Sequence, residues 1–465
     1  MSFAMIFIII FYISLSLLSS NAIAQSLVLQ DEDPCLDSGF NISQWAVDNS
    51  IRPNYIQATT EKKPIVAQRI LTAPRTSETG QSYSIELNQT SVLYMTGVST
   101  DLLEAQISKR GFPEDLPRSL SDGYNSAILL GERTTFKFSG RIETHNGATN
   151  VYATGVGTTA VLEDPRLYST GPGAIGLFSV RGASLNVTDF RHCSGGFRSP
   201  TLAGSNMNSR GGIAHTKGPG SPLIYSLGRI TAYDLNGWAQ ESPAIIMEGP
   251  QYLHLNSCRI TSDRMSGVLF FDWSVASRHG TGTLDTTSLD LTVSEGPAFH
   301  LATFSANIKL NAAKIKNPSG ILLLADTNTV SRDLERIDNL LWSADPISSN
   351  SSLTVMSSDA ISGDIVTQSG CTVFMRLLTN TSWTGGATAS LVNDRGGLTI
   401  QIDETSIWTV TKNSFVRGLS IMGGDLDQIV GQNFTVTYDR AAPESSWLQG
   451  RTHDLSQGGK LVPWK

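Results

Sequence analysis

Between residues 127 and 324 short apolar runs return at nearly constant spacing, and this recurrence restricts the fold more than anything else in the chain. The runs lie at 127–130, 150–153, 175–178, 244–247, 267–270, 298–301 and 320–323. Steps between comparable positions are about 22–25 residues, with two longer ones that leave room for loops. A second β-rich run follows each, such as Thr135-Phe136-Lys137-Phe138 or Tyr252-Leu253-His254-Leu255. A third often follows, such as Arg141-Ile142-Glu143 or Arg259-Ile260-Thr261. Three short strands per period, with Gly or Asn between them, suit a coil that winds repeatedly around one narrow core. The expected fold class is all-β: a single-stranded right-handed parallel β-helix with N- and C-terminal caps.

The flanking sequence sets the expected boundaries. Residues 25–80 are interrupted by Pro53, Pro64 and Pro74 and are expected to form an N-terminal lead-in or cap. The β-helix is expected over 81–438, and a polar tail over 439–465 to lie back over the last coil. Inside the helix, three stretches break the period: 197–220, 274–286 and 327–348. Each is expected to be a loop leaving a corner, the third with an amphipathic piece at 333–341. Ser406-Ile407-Trp408-Thr409-Val410 is expected to pair with Ser414-Phe415-Val416.

Residues 6–18 are almost all apolar and end near Ala22-Ile23-Ala24, a small-x-small pattern before Gln25. This predicts a signal peptide over 1–24, a mature chain from Gln25 and an extracellular destination. No later stretch is long and apolar enough to span a bilayer, and the C-terminal residues carry no lipid-anchor signal. Cys35, Cys193, Cys258 and Cys371 would meet an oxidising compartment, with three possible pairings if all four pair. Their wide separation argues against a metal site built from them. Asn41, Asn88, Asn186, Asn350, Asn380 and Asn433 stand in N-glycosylation sequons. A net charge of −7, with 16% charged residues, argues against a nucleic-acid partner.

The stretch GPGAIGLFSVRGASLNVTDF, the following SPLIYSLGRITAYDLNGWAQESPAIIMEGPQYLHLNSCRITSD, and LTIQIDETSIWTVTKNSFVRGLSI further on resemble extracellular microbial β-helix proteins of the adhesin or autotransporter-passenger kind. The resemblance covers roughly residues 80–438 and mostly restates repeat geometry. It implies a secreted or surface-bound protein, and carries no catalytic signature to these positions. The chain departs from the autotransporter pattern in having no C-terminal membrane barrel.

Enzymes that cut polysaccharides need converging carboxylates. Asp189, Asp234 and Asp263 fall late in their coils, with Arg191, His192 and Arg264 beside them, and form the candidate catalytic set. The competing reading is solvated charge or turn capping at strand ends. Trp273 next to Asp272, and Trp238, are candidate sugar contacts, because a flat ring covers the apolar face of a sugar while an acid accepts from its hydroxyls. Loop anchoring competes for them. His254 shares a side with Tyr252 and Asn256, facing solvent or a shallow cleft. His300, in an apolar run, is expected at the core edge. No cofactor is implied.

The expected function is non-catalytic adhesion to, or contact with, extracellular polysaccharide or cell-surface glycans. A polysaccharide lyase or glycoside hydrolase is the alternative, and a structural wall or coat component the third reading.

Overall fold

The structure, a computed structural model, describes residues 33–36, 67–111, 116–271, 280–302, 304–326, 349–368, 370–389 and 396–464. The recurring apolar runs form one parallel sheet of 13 strands, each bonded to the equivalent run of the coils above and below. Ile128 pairs with Val151, Val151 with Leu177, Leu177 with Leu202, and so on through Ile224, Ile245, Val268, Phe299 and Leu323. The chain is a parallel β-solenoid, as its period predicts.

These strands read as unbroken apolar runs because both of their faces are covered. One set of side chains, including Ile128, Val151, Leu177, Ile245 and Val268, fills the interior. The alternate set points the other way and forms separate clusters: Leu129, Tyr152, Phe178 and Ala203 in one, Ile246, Leu269 and Phe271 in another. The short helix Leu116–Asp122 lies over the first cluster, where the Tyr152 hydroxyl donates to the carbonyls of Leu120 and Ser121.

The second and third runs of each coil alternate instead, since only their inner face is buried. In the early coils they make one bent strand, such as Thr159–Ser169 or Ser184–Ser194. Later they separate, as in Arg229–Tyr233 and Asn236–Ala239. The bend falls on one residue in left-handed conformation: Glu104, Asp164, Asp189, Asp234, Ser257, Ser288, Ala312 and Ser357 have φ between 46° and 55°. Asp and Asn occupy this region at lower cost than most side chains. At Gly140 (φ 126°) a Cβ would stand 2.1 Å from the Ala105 carbonyl oxygen, so that coil requires glycine.

Parallel pairing extends beyond 81–438 at both ends. Ala67–Leu71 already pairs with Ser91–Met95, and Lys460–Trp464 pairs with Thr435–Asp439. Pro443–Leu448 lies on the strand Gly418–Ile421, where Trp447 Nε1 donates to the Leu419 carbonyl at 2.7 Å.

Two local expectations are corrected. The stretch 197–220 is not a long loop but contains two strands, Leu202–Gly204 and Met207–Thr216, in register with their neighbours. Likewise Ile407–Val410 pairs with Ser382–Gly385 and Ile429–Val430, while Ser414–Val416 pairs with Thr435–Asp439. In a solenoid, partners lie one turn apart in sequence, so adjacent runs do not pair. The end of 274–286 belongs to the strand Thr281–Thr287. The stretch 327–348, with its amphipathic piece, lies outside the described residues.

Trp383 and Trp408 stack in register within the core, ring centroids 5.1 Å apart at 14°. Their Nε1 groups donate to the carbonyls of Gly363 and Gly385 at 2.8 and 3.0 Å. Cys35 and Cys193 form a disulfide, while Cys258 and Cys371 are buried thiols.

Candidate ligand-binding face

Strand register decides which side chains meet on the solvent side of the alternating sheet. Arg210, Tyr233 and Asn256 occupy one outward column, one residue per coil. Asn186, Asn208, Thr231, His254 and Asp285 occupy the next. Arg229 and Tyr252 occupy a third. Neighbouring coils lie about 4.8 Å apart, so these columns bring distant residues into contact.

The result is an aromatic and cationic patch. The Arg210 guanidinium lies 5.5 Å from the centre of the Tyr233 ring, and that of Arg229 4.6 Å from the Tyr252 ring. The His254 ring meets Tyr233 edge-on at 6.0 Å. The Tyr252 hydroxyl donates to Asp285 Oδ2 at 3.3 Å, and His254 Nδ1 stands 3.9 Å from the same oxygen. Burial, followed by the Asp285 charge and hydrogen bond, pushes the Tyr252 hydroxyl above its ordinary pKa. The rings are thus fixed by neighbours before any ligand arrives, which lowers the ordering cost of binding.

Around the bend, Gln106, Arg141, Arg166 and Arg191 form another outward column. Arg141 is held by Glu143 at 3.2 Å and lies 4.3 Å over the Tyr168 ring. The Glu143 carboxyl is held below its ordinary pKa, mainly by its hydrogen bond from His145. Two shallow depressions, of about 270 and 360 Å³, adjoin at Gln106 and Arg141. The first is lined by Ser82, Ser84 and Ser108, the second by Glu104, Asp164 and Arg166. A third, of about 450 Å³, lies between Asn307, Lys309, Ser352 and Arg376. Serine hydroxyls, amides and paired charges suit contact with hydroxyl-rich ligands.

The catalytic candidates are not brought together. Asp189 and Asp234 are the bend residues of their coils, exposed and one coil to either side of Gly211. Asp263 is on a different corner: the coil equivalent of Asp234 is Ser257, and the Asp263 amide bonds to Ala239. His192 is an interior residue with no exposed surface, its ring nitrogens bonded to Ser169 and Thr201. Burial depresses its pKa to about 3, so it stays neutral in the fold. It is a core histidine remote in role from the exposed bend acids. Arg191 is in register with Arg166 on the outward column. Arg264 is exposed and pairs with Glu241 at 3.0 Å.

Trp238 is half-buried, its ring 4.3 Å from that of His215. Trp273 and Asp272 lie outside the described residues, as does Asn41. Asn350, Asn380 and Asn433 are exposed, whereas Asn88 and Asn186 are half-buried. Asn186 Oδ1 also accepts from Asn208. His254 faces outward as its alternation predicts, and His300 is buried against Asp326 at 3.2 Å.

A second cluster lies where the turn Pro34–Leu36 crosses the outer face of the solenoid. Cys35 is bonded to Cys193, and Asp33 Oδ1 lies 3.0 Å from His215 Nδ1. Burial raises the Asp33 carboxyl, but the His215 hydrogen bond and charge outweigh it and hold the group below its ordinary value. Burial lowers the His215 pKa despite the opposing pull of Asp33. Burial pushes Asp263 up, opposed by His215 and Arg264.

Arg210, Tyr233, Arg229, Tyr252 and the Arg141–Glu143 pair escaped the sequence reading. Their signal is a register one: a basic or aromatic residue at the same offset from the bend in successive coils. No protein-family model, no curated protein and no solved structure matches the chain.

Proposed function

We propose that this protein binds an extended glycan along the outward face of its alternating strands, without cleaving it, as a secreted or surface-exposed adhesin-like module. The observation that carries this reading is the preorganised patch of Tyr233, His254 and Tyr252 with Arg210, Arg229 and Asp285. Aromatic bodies with fixed donors and acceptors match the mixed apolar and hydroxyl surface of a sugar. The polar depressions on other coils add contacts that a long polymer can engage together, so that modest sites sum.

Hydrolysis is the second reading, supported by Glu104 and Asp164, which line one depression from the coils on either side of Ser139. One experiment separates the two. The full-length secreted chain is presented to a panel of soluble polysaccharides, and both retention and new reducing ends are measured. We expect at least one polymer to be retained with no new ends, and the folded Tyr233→Ala/Tyr252→Ala variant to bind it at least about tenfold more weakly, a loss of roughly 1.4 kcal/mol. Full affinity in that variant, or no retention by any polymer, overturns the proposal. New reducing ends that vanish in Glu104→Gln or Asp164→Asn would replace it with hydrolysis.

A further inference from the structure

Four side chains of metal-ligating type converge where the N-terminal turn crosses the solenoid. Asp33 and Cys35 come from that turn, two residues apart, and Cys193 and His215 are directly paired neighbours on adjacent coils. Ligand atoms of Asp33, Cys35 and His215 all lie within 4.8 Å of one another, and Cys193 Sγ is bonded to Cys35 Sγ. Both cysteines and His215 are buried. His215 turns Nδ1 toward Asp33, and the adjacent Trp238 ring packs against the imidazole.

We propose that, when the Cys35–Cys193 bond is reduced, Asp33, Cys35, Cys193 and His215 together bind one zinc-class divalent ion. Two sulfurs, one imidazole nitrogen and one carboxylate oxygen make the four-ligand set that zinc takes in tetrahedral structural sites. Two ligands from a turn and two from an in-register strand pair approach from opposite sides, so small side-chain movements complete the shell. Disulfide and ion are then alternative fastenings of the same N-terminal segment. A dithiol or phosphine reductant supplies the two electrons, two protons convert the disulfide to two thiols, and the incoming ion displaces both thiol protons. Cys258 and Cys371, buried on other coils, take no part.

The test uses the full chain, reduced under native conditions with a phosphine and titrated with cobalt(II). We expect one cobalt per chain, a thiolate-to-cobalt charge-transfer band with tetrahedral d–d bands, and displacement by zinc. Oxidised protein should show none of these. Cys193→Ser should abolish the charge-transfer intensity or halve it, and His215→Ala should weaken binding at least tenfold. Cys258→Ser/Cys371→Ser should leave the spectrum unchanged. The proposal is overturned if reduced protein binds no stoichiometric cobalt, if oxidised protein binds it equally, or if Cys193→Ser leaves the charge-transfer intensity undiminished. Unfolding on reduction that metal does not reverse also overturns it.

Discussion

Replacing Trp408 with alanine tests how far the solenoid depends on its interior stacks. Trp408 has no exposed surface, stacks on Trp383 one coil away, and donates to the Gly385 carbonyl. A buried Trp withdraws about 150–250 Å² from water, which at ~25 cal/mol per Å² gives about 4–6 kcal/mol. Residual burial in the unfolded chain trims this to about 3–5 kcal/mol, the range seen for large-to-small core changes. Loss of the ring pair adds about 1 kcal/mol. The expected cost of Trp408→Ala is therefore about 4–6 kcal/mol. Trp408→Phe keeps most of the packing but leaves the Gly385 carbonyl unpaired, at about 1–3 kcal/mol. Because coils contact mainly their neighbours, the loss should concentrate in nearby coils. Hydrogen exchange should therefore show Ser382–Gly385 and Ile429–Val430 losing protection first. Denaturant midpoints and exchange maps measure both effects. A cost below about 1.5 kcal/mol, or protection lost uniformly along the chain, would refute the reasoning.

His192 gives an acid-stability signature: its folded pKa of about 3 lies below the ordinary 6.5, so the unfolded chain binds its proton first. Stability from this group is full above about pH 6.5 and falls toward pH 3 by about 1.4 kcal/mol per pH unit. Subtracting the pH–stability curve of His192→Asn should isolate that slope, and an identical slope in the variant would exclude His192 as its source. Asp189→Gly and Asp234→Gly should change stability by less than about 1 kcal/mol, because glycine meets the left-handed bend without strain. Glycan binding should persist in both, and its loss in a folded variant would return these acids to the site. Gly140→Ala should cost more than about 2 kcal/mol by thermal or chemical denaturation, since the added methyl meets backbone rather than a movable side chain.

Fold class was legible because two kinds of run carry two kinds of burial. Unbroken segments such as Val268-Leu269-Phe270-Phe271 mark the sheet covered on both faces, and alternating ones such as Tyr252-Leu253-His254-Leu255 mark the half-exposed one. The coil at 202–216 escaped notice because its bend is Gly211-Gly212 and its inward positions include Ser209 and Ala214. A coil supported on both sides tolerates such weak apolar content. Asp189, Asp234 and Asp263 all fall late in their coils, but residue counts from a bend, rather than from an apolar run, decide which side chains share a column. His192 carries no sequence mark that separates an inward from an outward ring. The partner of Cys35 was illegible for a different reason: 158 residues separate it from Cys193, and only the winding of the coils brings them together.

Strict columns, one residue per turn, also govern how such a chain can change length. Ile230 sits directly beneath Leu253, so excising 231–253 would join Ile230 to the successor of its own partner and leave every ladder aligned. Excising a single residue from the same stretch would turn its inward side chains outward up to the next bend. Insertions and deletions are therefore quantised in whole windings or confined to corners, and a ruler of this kind lengthens its outward face only one complete rung at a time.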